Sequence, residues 1–433
     1  MDEITRGLFS FIEKSPTAFH AVENARTALE AAGFRPLLES RPWELLPGQG
    51  YYVTRNQSSL LAFRVPEHLD SFLVGAAHTD SPCLRLKENM EVRPEGYTKL
   101  DVEKYGGMLI HPWLDRPLSV AGRLMCRTDQ GVTAKLVNLD RDLLVIPSLA
   151  IHMDRTANDG KKWDAQVDLM PLLGKGDRAL LPLLAEEAGV DADQIVAFDL
   201  FVYNRDKGTV LGPDGELILC PRLDDLQCVY ALLQGFLRAS PTEGTMPVLA
   251  LFDNEEVGSQ TRQGALSTFL ADGLRRICLA RGLREEDYLR CVAQSLMVSA
   301  DNAHGVHPNH PEKAALTSRP RLGDGVVIKF GPRYATDGPS AALFRKLLET
   351  AGVPQQVYFN HSDVPGGGTL GNLSGTQVSM HTVDVGLSQL AMHSSCETAG
   401  EADTGYLIRA MAAAFSSRIR ETGPECFALE TRA

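Results

Sequence analysis

Three apolar runs in this chain end abruptly in polar side chains capable of chemistry, and this pattern narrows the fold more than any other feature. SFLVGAA (71–77) runs into His78-Thr79-Asp80, MPVLALF (246–252) into Asp253-Asn254-Glu255-Glu256, and QSLMVS (294–299) into Asp301-Asn302. Unbroken apolar runs of this kind suit strands covered on both faces, as in parallel sheets packed between helices. Helical periodicity separates them: DLQCVYALLQGFLRA, LSTFLADGLRRICLARG, GPSAALFRKLLETAG and a terminal ETAGEADTGYLIRAMAAAF. Near the start, Phe19, Val22 and Leu29 share one face of a helix that Ser15-Pro16 opens and Gly33 closes. YYVT, SLLAFRV and VSMHTVDVG add strands. Alternating strands and helices imply an α/β sheet with helices on both faces, and in such sheets ligands gather at the carboxyl ends of strands.

The pattern breaks between residues 91 and 218. AGRLMCRT, VTAKLVNL, QIVAFDLFVYN and GTVLGPDGELILC are short alternating runs with turn signals, which favour hairpins. Only DRALLPLLAEEAGV reads as a helix there. The expected organisation is a discontinuous α/β domain, residues 1–90 and 219–433, interrupted by a mostly β insert, residues 91–218.

Charge and apolar runs limit the function classes. Lys plus Arg number 43 against 55 Asp plus Glu, a net charge of −12. That balance offers no electrostatic footprint for nucleic acid and no polybasic cluster for an anionic membrane surface. No apolar stretch reaches the roughly 18 residues of a membrane span. MDEITRGLFSFIEKSPTAF lacks the basic start, apolar run and small-residue cleavage site of a secretory signal. The eight cysteines form no CxxC and read as reduced thiols, so a cytoplasmic protein is expected.

The strand-end residues share one chemistry. His78 and Asp80, two apart on a strand, project to one side, and Asp80 can fix one ring nitrogen while the other faces a metal. In Glu255-Glu256 the adjacent side chains diverge, so one can bind metal while the other reaches a water. Asp224 opens a helix in PRLDDL, Asp301 ends a strand, and His393 sits in the loop Met392-His393-Ser394. Each has an ordinary alternative: a dipole-offsetting carboxylate for Asp224, a turn residue for Asp301, a satisfied core histidine for His393. One dimetal reading explains all five together. Two Zn²⁺ bring four positive charges, and Asp224, Glu256 and Asp301 bring three negative ones. One solvent-derived anion then balances the core, a lower cost in a partly dry pocket than bare charge.

HTDSP, PRLDDL, DNEEVGS, SADNAHGVHPNH, RYATDGPS and QLAMHS, in this order, resemble the cytosolic aspartyl aminopeptidase family of dizinc exopeptidases. The likeness spans nearly the whole chain, including GGMLIHPWLDRPLSVAGR and IPSLAIHMDR in the insert. The resemblance implies an α/β/α sandwich of dizinc exopeptidase type with an inserted dimerisation domain. It implies two Zn²⁺ per subunit, with Mn²⁺ or Co²⁺ as substitutes. His78 and Asp301 would bind one ion, Glu256 and His393 the other, and Asp224 would bridge them. Glu255 would be the general base, and Asp80 would orient His78. His152 would enter the active site of a neighbouring subunit in a dimer-built dodecamer and stabilise the reacting carbonyl oxygen. Lys329, in VVIKFG, would meet the acidic side chain of an N-terminal Asp or Glu, and His304 and His307 would line or support that pocket. The implied substrates are small peptides with a free N-terminus. Gly366-Gly367-Gly368-Thr369 lacks the Gly-Lys-Ser/Thr ending of a phosphate loop and reads as a substrate-side loop. Two departures stand out: Asp225 where the family has Asn, and the segment HSDVPGGGTLG, which bears on strict acidic specificity. The competing readings are a dizinc carboxypeptidase or amide deacylase, with a cation such as Arg333 aimed at a substrate carboxylate, and a non-catalytic shell or cargo protein.

Overall fold

The computed structural model describes residues 1–364 and 366–431. A nine-stranded mixed sheet forms its centre. Across the sheet the strands run Arg35–Leu37, Gly50–Arg55, Ser59–Arg64, Gly244–Phe252, Leu69–His78, Leu296–Ala300, His381–Gly386, Val326–Lys329 and Gln355–Tyr358. The three strands that end in polar chemistry therefore lie side by side. Gly244–Phe252 and Leu296–Ala300 both pair parallel to Leu69–His78, so all three carboxyl ends emerge on one edge. The register sets Phe252 opposite His78 and Ser299 opposite Ala76.

Side-chain alternation sends neighbouring residues of each strand into different cores. Leu73, Ala77, Leu249, Leu251 and Val298 pack into one cluster with residues of the helices Leu223–Arg238, Gly338–Ala351 and Asp403–Phe415. Phe72, Val74, Ala76, Val248, Ala250, Phe252 and Met297 pack into another, with the helices Phe269–Ala280 and Glu285–Ala293. Each fully buried Phe or Leu adds about 1.5–3 kcal/mol over an exposed one. Gly75 lets the last helix approach: a Cβ there would lie 2.6 Å from the Phe415 ring.

The insert has its own antiparallel sheet, in the order Gly131–Asn138, Leu118–Thr128, Ile195–Asn204, Cys83–Val92, Tyr97–Tyr105, Leu172–Lys175. Leu84, Leu100, Trp113, Val120 and Leu200 belong to a separate core beneath it. Strand pairing moves the change of sheet to Cys83 rather than 91, because Cys83–Val92 pairs with Tyr97–Tyr105. At the other end, Thr209–Leu211 and Leu217–Cys220 form a hairpin that pairs with Glu397–Gly400, outside the insert sheet.

Other boundaries differ from the expectation. ETAG (397–400) is a strand, so the last long helix starts at Asp403. A hairpin of Ser417–Gly423 and Cys426–Thr431 follows that helix. The expected N-terminal helix is Ala18–Ala31, with Thr17 rather than Ser15 at its N-cap, and a further helix, Glu3–Glu13, capped by the Asp2 side chain on the Thr5 N–H, precedes it. Among the described residues, no helix is long and apolar enough to cross a membrane. All eight cysteines are unpaired.

Candidate metal centre

His78, the last residue of the central strand, is buried, with Nε2 3.3 Å from Asp224 Oδ1 and 3.9 Å from Asp301 Oδ1. Its Nδ1 lies 3.0 Å from the Asp80 main-chain oxygen and 3.4 Å from Asp80 Oδ1. His393 Nε2 lies 3.5 Å from Asp224 Oδ2 and 3.4 Å from Glu256 Oε2. The two oxygens of Asp224 thus face different imidazoles. Donor atoms converge within 4.8 Å in three overlapping sets: His78, Asp224, Asp225 and Asp301; His78, Glu255 and Glu256; Asp224, Glu256 and His393.

These residues fit a divalent metal. Asp224 Oδ1, Asp225 Oδ1 and Glu256 Oε1 are buried and accept no hydrogen bond. A buried carboxylate oxygen without a partner is strongly unfavourable, and a coordinated cation supplies the missing interaction. Imidazole and carboxylate donors without thiolate suit zinc and similar divalent ions.

Local structure explains how the donors are held. Asp80 accepts the Glu255 N–H at 3.1 Å on Oδ1, and the Glu256 N–H at 3.2 Å and the Tyr105 hydroxyl at 2.7 Å on Oδ2. Asn254 adopts a left-handed backbone (φ 61°) that starts the tight turn Glu255–Val257, and its Nδ2 donates to the Tyr105 oxygen at 2.8 Å. Glu397, buried at the start of its strand, accepts the Asp224 N–H at 2.9 Å and the His393 N–H at 2.7 Å. Asp225 Oδ2 accepts the His78 N–H at 3.1 Å, and the peptide joining Asp224 to Asp225 is cis. The insert closes the far side. The Leu109 N–H donates to the His393 carbonyl at 3.0 Å. A Cβ on Gly106 (φ +79°) would lie 3.0 Å from Glu256 Cβ.

Burial and mutual charge shape the protonation. Burial pushes Glu255 up to about 7, reinforced by Asp301, Asp80 and Asp224. Burial likewise raises Glu256 and Asp225 well above the carboxylate range, each further raised by Asp224. For His78, burial acts downward, but Asp225, Asp224, Asp301 and Asp80 outweigh it and hold the imidazolium well above its ordinary range. Asp224 goes the other way: burial opposes ionisation, yet His393 and His78 pull its pKa down.

The remaining expected residues divide. Lys329 ends its strand nearly fully buried, 3.3 Å from Asp301 Oδ2, and donates to the Asn302 carbonyl at 3.1 Å. Its ammonium lies 5.5 Å from the Tyr334 ring centroid. His304 packs edge-on to Tyr358, with ring centroids 6.1 Å apart. His307 is exposed, 5.2 Å from the His310 ring, and lies in none of the three donor sets. His152 occupies an exposed turn of the insert beside exposed Leu149, Ile151 and Met153, and this chain does not bring it into those sets. Tyr105 and Glu397 were not expected. Glu397 follows His393 by four residues, a spacing that could have flagged it; nothing near Tyr105 ties it to the site.

Polar groups at adjacent parallel strand ends, overlapping clusters of donors that could hold metal and a neighbouring buried carboxylate point to a metal-dependent hydrolase of the dizinc exopeptidase-like fold. The chain belongs to the peptidase M18 family: the family model described as aminopeptidase I zinc metalloprotease (M18) matches residues 11–415. It is therefore a zinc metallo-aminopeptidase. A probable M18 family aminopeptidase 2 of Clostridium novyi is 42% identical over 92% of this chain and 95% of its own length. One from Pseudomonas entomophila is 42% identical over 96% and 99%. Among solved structures, Ape4 in its complex with Nbr1 aligns at TM-score 0.92 and 34% identity, covering 95% of this chain and 85% of that one. The S. cerevisiae mApe1 dodecamer aligns at TM-score 0.83 and 28% identity, over 95% of each chain. These relatives set aside the carboxypeptidase, deacylase and shell-protein readings.

Proposed function

We propose that this enzyme removes the N-terminal residue of small peptides, with preference for Asp or Glu, using two zinc ions per subunit. The observation that carries the reading is Asp224, whose Oδ1 and Oδ2 address His78 and His393 respectively. His78 and Asp301 would hold one ion, Glu256 and His393 the other, and Asp224 both. When bound, zinc would polarise the scissile carbonyl and acidify a water. Glu255 then takes the proton of the attacking water and delivers it to the departing amine. Asp80 keeps His78 oriented through Nδ1 and, by accepting the Glu255 and Glu256 N–H groups, keeps base and ligand in register. The substrate's free amine is drawn by the surplus of carboxylates, which restricts cleavage to the chain end.

Acidic preference rests on Lys329, whose ammonium a substrate carboxylate would share with Asp301; His304 and His307 would border that pocket. Assembly follows the mApe1 dodecamer, with the insert, residues 91–218 as first delimited, as the dimerisation module. The exposed apolar turn around His152 would then meet a neighbouring subunit and lend its imidazole to the carbonyl oxygen. The test is release of each N-terminal residue from a peptide panel by wild type, Glu255→Gln and Lys329→Ala, with zinc measured in each. Glu255→Gln should retain two zinc ions and lose most turnover, and Lys329→Ala should lose the acidic preference. Turnover in zinc-loaded Glu255→Gln removes that residue as base; an intact preference in Lys329→Ala moves the pocket elsewhere.

A further inference from the structure

The geometry points to Glu397 as a positioning residue that couples the two halves of the metal centre. This inference rests on the two-ion reading above. Glu397 is 1% exposed, and its two oxygens perform separate tasks. Oε2 accepts the backbone N–H of Asp224 at 2.9 Å, and Oε1 accepts that of His393 at 2.7 Å. The first is the residue that faces both imidazoles. The second brings one of those imidazoles, from a position whose backbone is left-handed (φ 66°). Among the described residues, Glu397 is in none of the donor sets that could take metal, so its role runs through the backbone of others.

Chemistry argues that this arrangement is specific. Two N–H donors converge on one side chain, and only a group with two acceptor oxygens satisfies both. A Gln offers one acceptor and turns an NH₂ toward the other donor. An Asp is one methylene shorter, so its carboxylate sits farther back from both donors. Glu397 is itself fixed by the sheet: its strand pairs with Leu217–Cys220, with Cys220 opposite Glu397, three residues before the helix that opens at Leu223. The strand therefore sets Asp224 from one side and, through the loop 391–396, His393 from the other. A structural carboxylate would serve one segment; this one serves the two segments whose relative position decides whether Asp224 can be shared.

Partners behind the ligands of a metal site change affinity or activity by about 10–100-fold when removed. The experiment is calorimetric zinc titration of metal-free wild type, Glu397→Gln, Glu397→Asp and Asp224→Ala, with thermal unfolding of each in metal-free and zinc-loaded forms. We expect Glu397→Gln and Glu397→Asp to weaken zinc binding by about 10–100-fold and to shrink the zinc-induced rise in Tm, beyond any loss of Tm in the metal-free protein. Unchanged zinc affinity, or a Tm loss equal in metal-free and loaded protein, overturns the inference and leaves Glu397 as ordinary packing. Failure of the underlying reading looks different: wild type itself then takes up fewer than two ions, or Asp224→Ala binds zinc as wild type does. Should either variant not fold, retained zinc affinity in the other decides against the coupling role, and weakened affinity decides for it.

Discussion

Replacing Tyr105 with Phe deletes one oxygen and tests whether the insert controls the catalytic carboxylates. The hydroxyl donates to Asp80 Oδ2 at 2.7 Å, the shortest of the hydrogen bonds that Asp80 accepts, and accepts from Asn254 Nδ2 at 2.8 Å. Burial, then Asp80 and Asp253, hold the phenol far above its ordinary pKa, so it remains a neutral donor across the working pH range. Hydrogen bonds to charged acceptors contribute about 1.5–3 kcal/mol. Asp80 keeps two backbone donors, which limits the loss to about 1–2 kcal/mol. Those donors belong to Glu255 and Glu256, so the disturbance is passed to the proposed base and to a proposed ligand. If half or more of it appears in the transition state, kcat falls by about 2–30-fold, since roughly 1.4 kcal/mol is tenfold. The assay is kcat and KM on a chromogenic N-terminal amide, with zinc content and Tm measured on the same preparation. A kcat within twofold of wild type, at full zinc content and with a lowered Tm, would show that Tyr105 holds the insert in place without reaching the chemistry.

Three further outcomes follow from the geometry. Asp224→Ala should lose high-affinity binding of both zinc ions, whereas His393→Ala should retain one; a zinc titration in which Asp224→Ala keeps one ion at wild-type affinity contradicts the bridging role. Gly106→Ala puts a side chain on a left-handed residue, about 1–2 kcal/mol unfavourable, and drives its Cβ to 3.0 Å from Glu256 Cβ; zinc content and kcat should both fall, and a fully loaded, fully active variant would show that the insert yields freely there. His20 concerns stability alone. Burial, with help from Arg222, drops its pKa to about 4 against an upward pull from Glu23. The unfolded chain therefore binds the extra proton first, and stability declines as pH falls from about 6.5 to about 4, by at most about 3 kcal/mol. His20→Asn should flatten unfolding curves across that window; parallel curves for variant and wild type exclude His20 as the cause.

Much of the fold is legible in the sequence because long apolar runs leave few alternatives. Phe72, Val248 and Met297 belong to strands that no amphipathic helix could imitate, and His78, Glu255 and Asp301 are conspicuous at or just past their ends. Shorter elements were misread where two patterns overlap. ETAG adjoins a strong helical run and pairs as a strand only because Leu217–Cys220 lies alongside it. Cys83–Val92 carries Lys87-Glu88-Asn89 at its centre, which hides its membership of the insert sheet; that sheet shifts register between Leu86 and Glu91 at this point. Tyr105 and Glu397 escape for another reason. Tyr105 acts on a carboxylate distant in sequence, and Glu397 acts on main-chain N–H groups, one of them distant in sequence, so only its four-residue offset from His393 leaves a trace. His307 shares SADNAHGVHPNH with Asp301, yet the strand ends before it and the chain turns out to solvent.

The donors come from segments remote in sequence, so their spacing is a property of sheet register rather than of any motif. Parallel pairing fixes Phe252 opposite His78, and the Glu255-Glu256 turn begins three residues further on. A slip of one residue would shift a strand by about 3.3 Å and turn His78 to the other face. Register alone does not finish the site, because Glu256 and His393 lie in irregular chain beyond the strands. Here the insert supplies the missing constraint: Tyr105 on Asp80, Gly106 against Glu256, Leu109 on the His393 carbonyl. The strand ends thus place His78 and Asp301, whereas Glu256 and His393 are held by Asp80 and Glu397 together with contacts from the insert. Asp224, whose N–H Glu397 accepts, faces both His78 and His393. A displacement of the insert would act on Glu255, Glu256 and His393 and, through Asp80, on His78 as well.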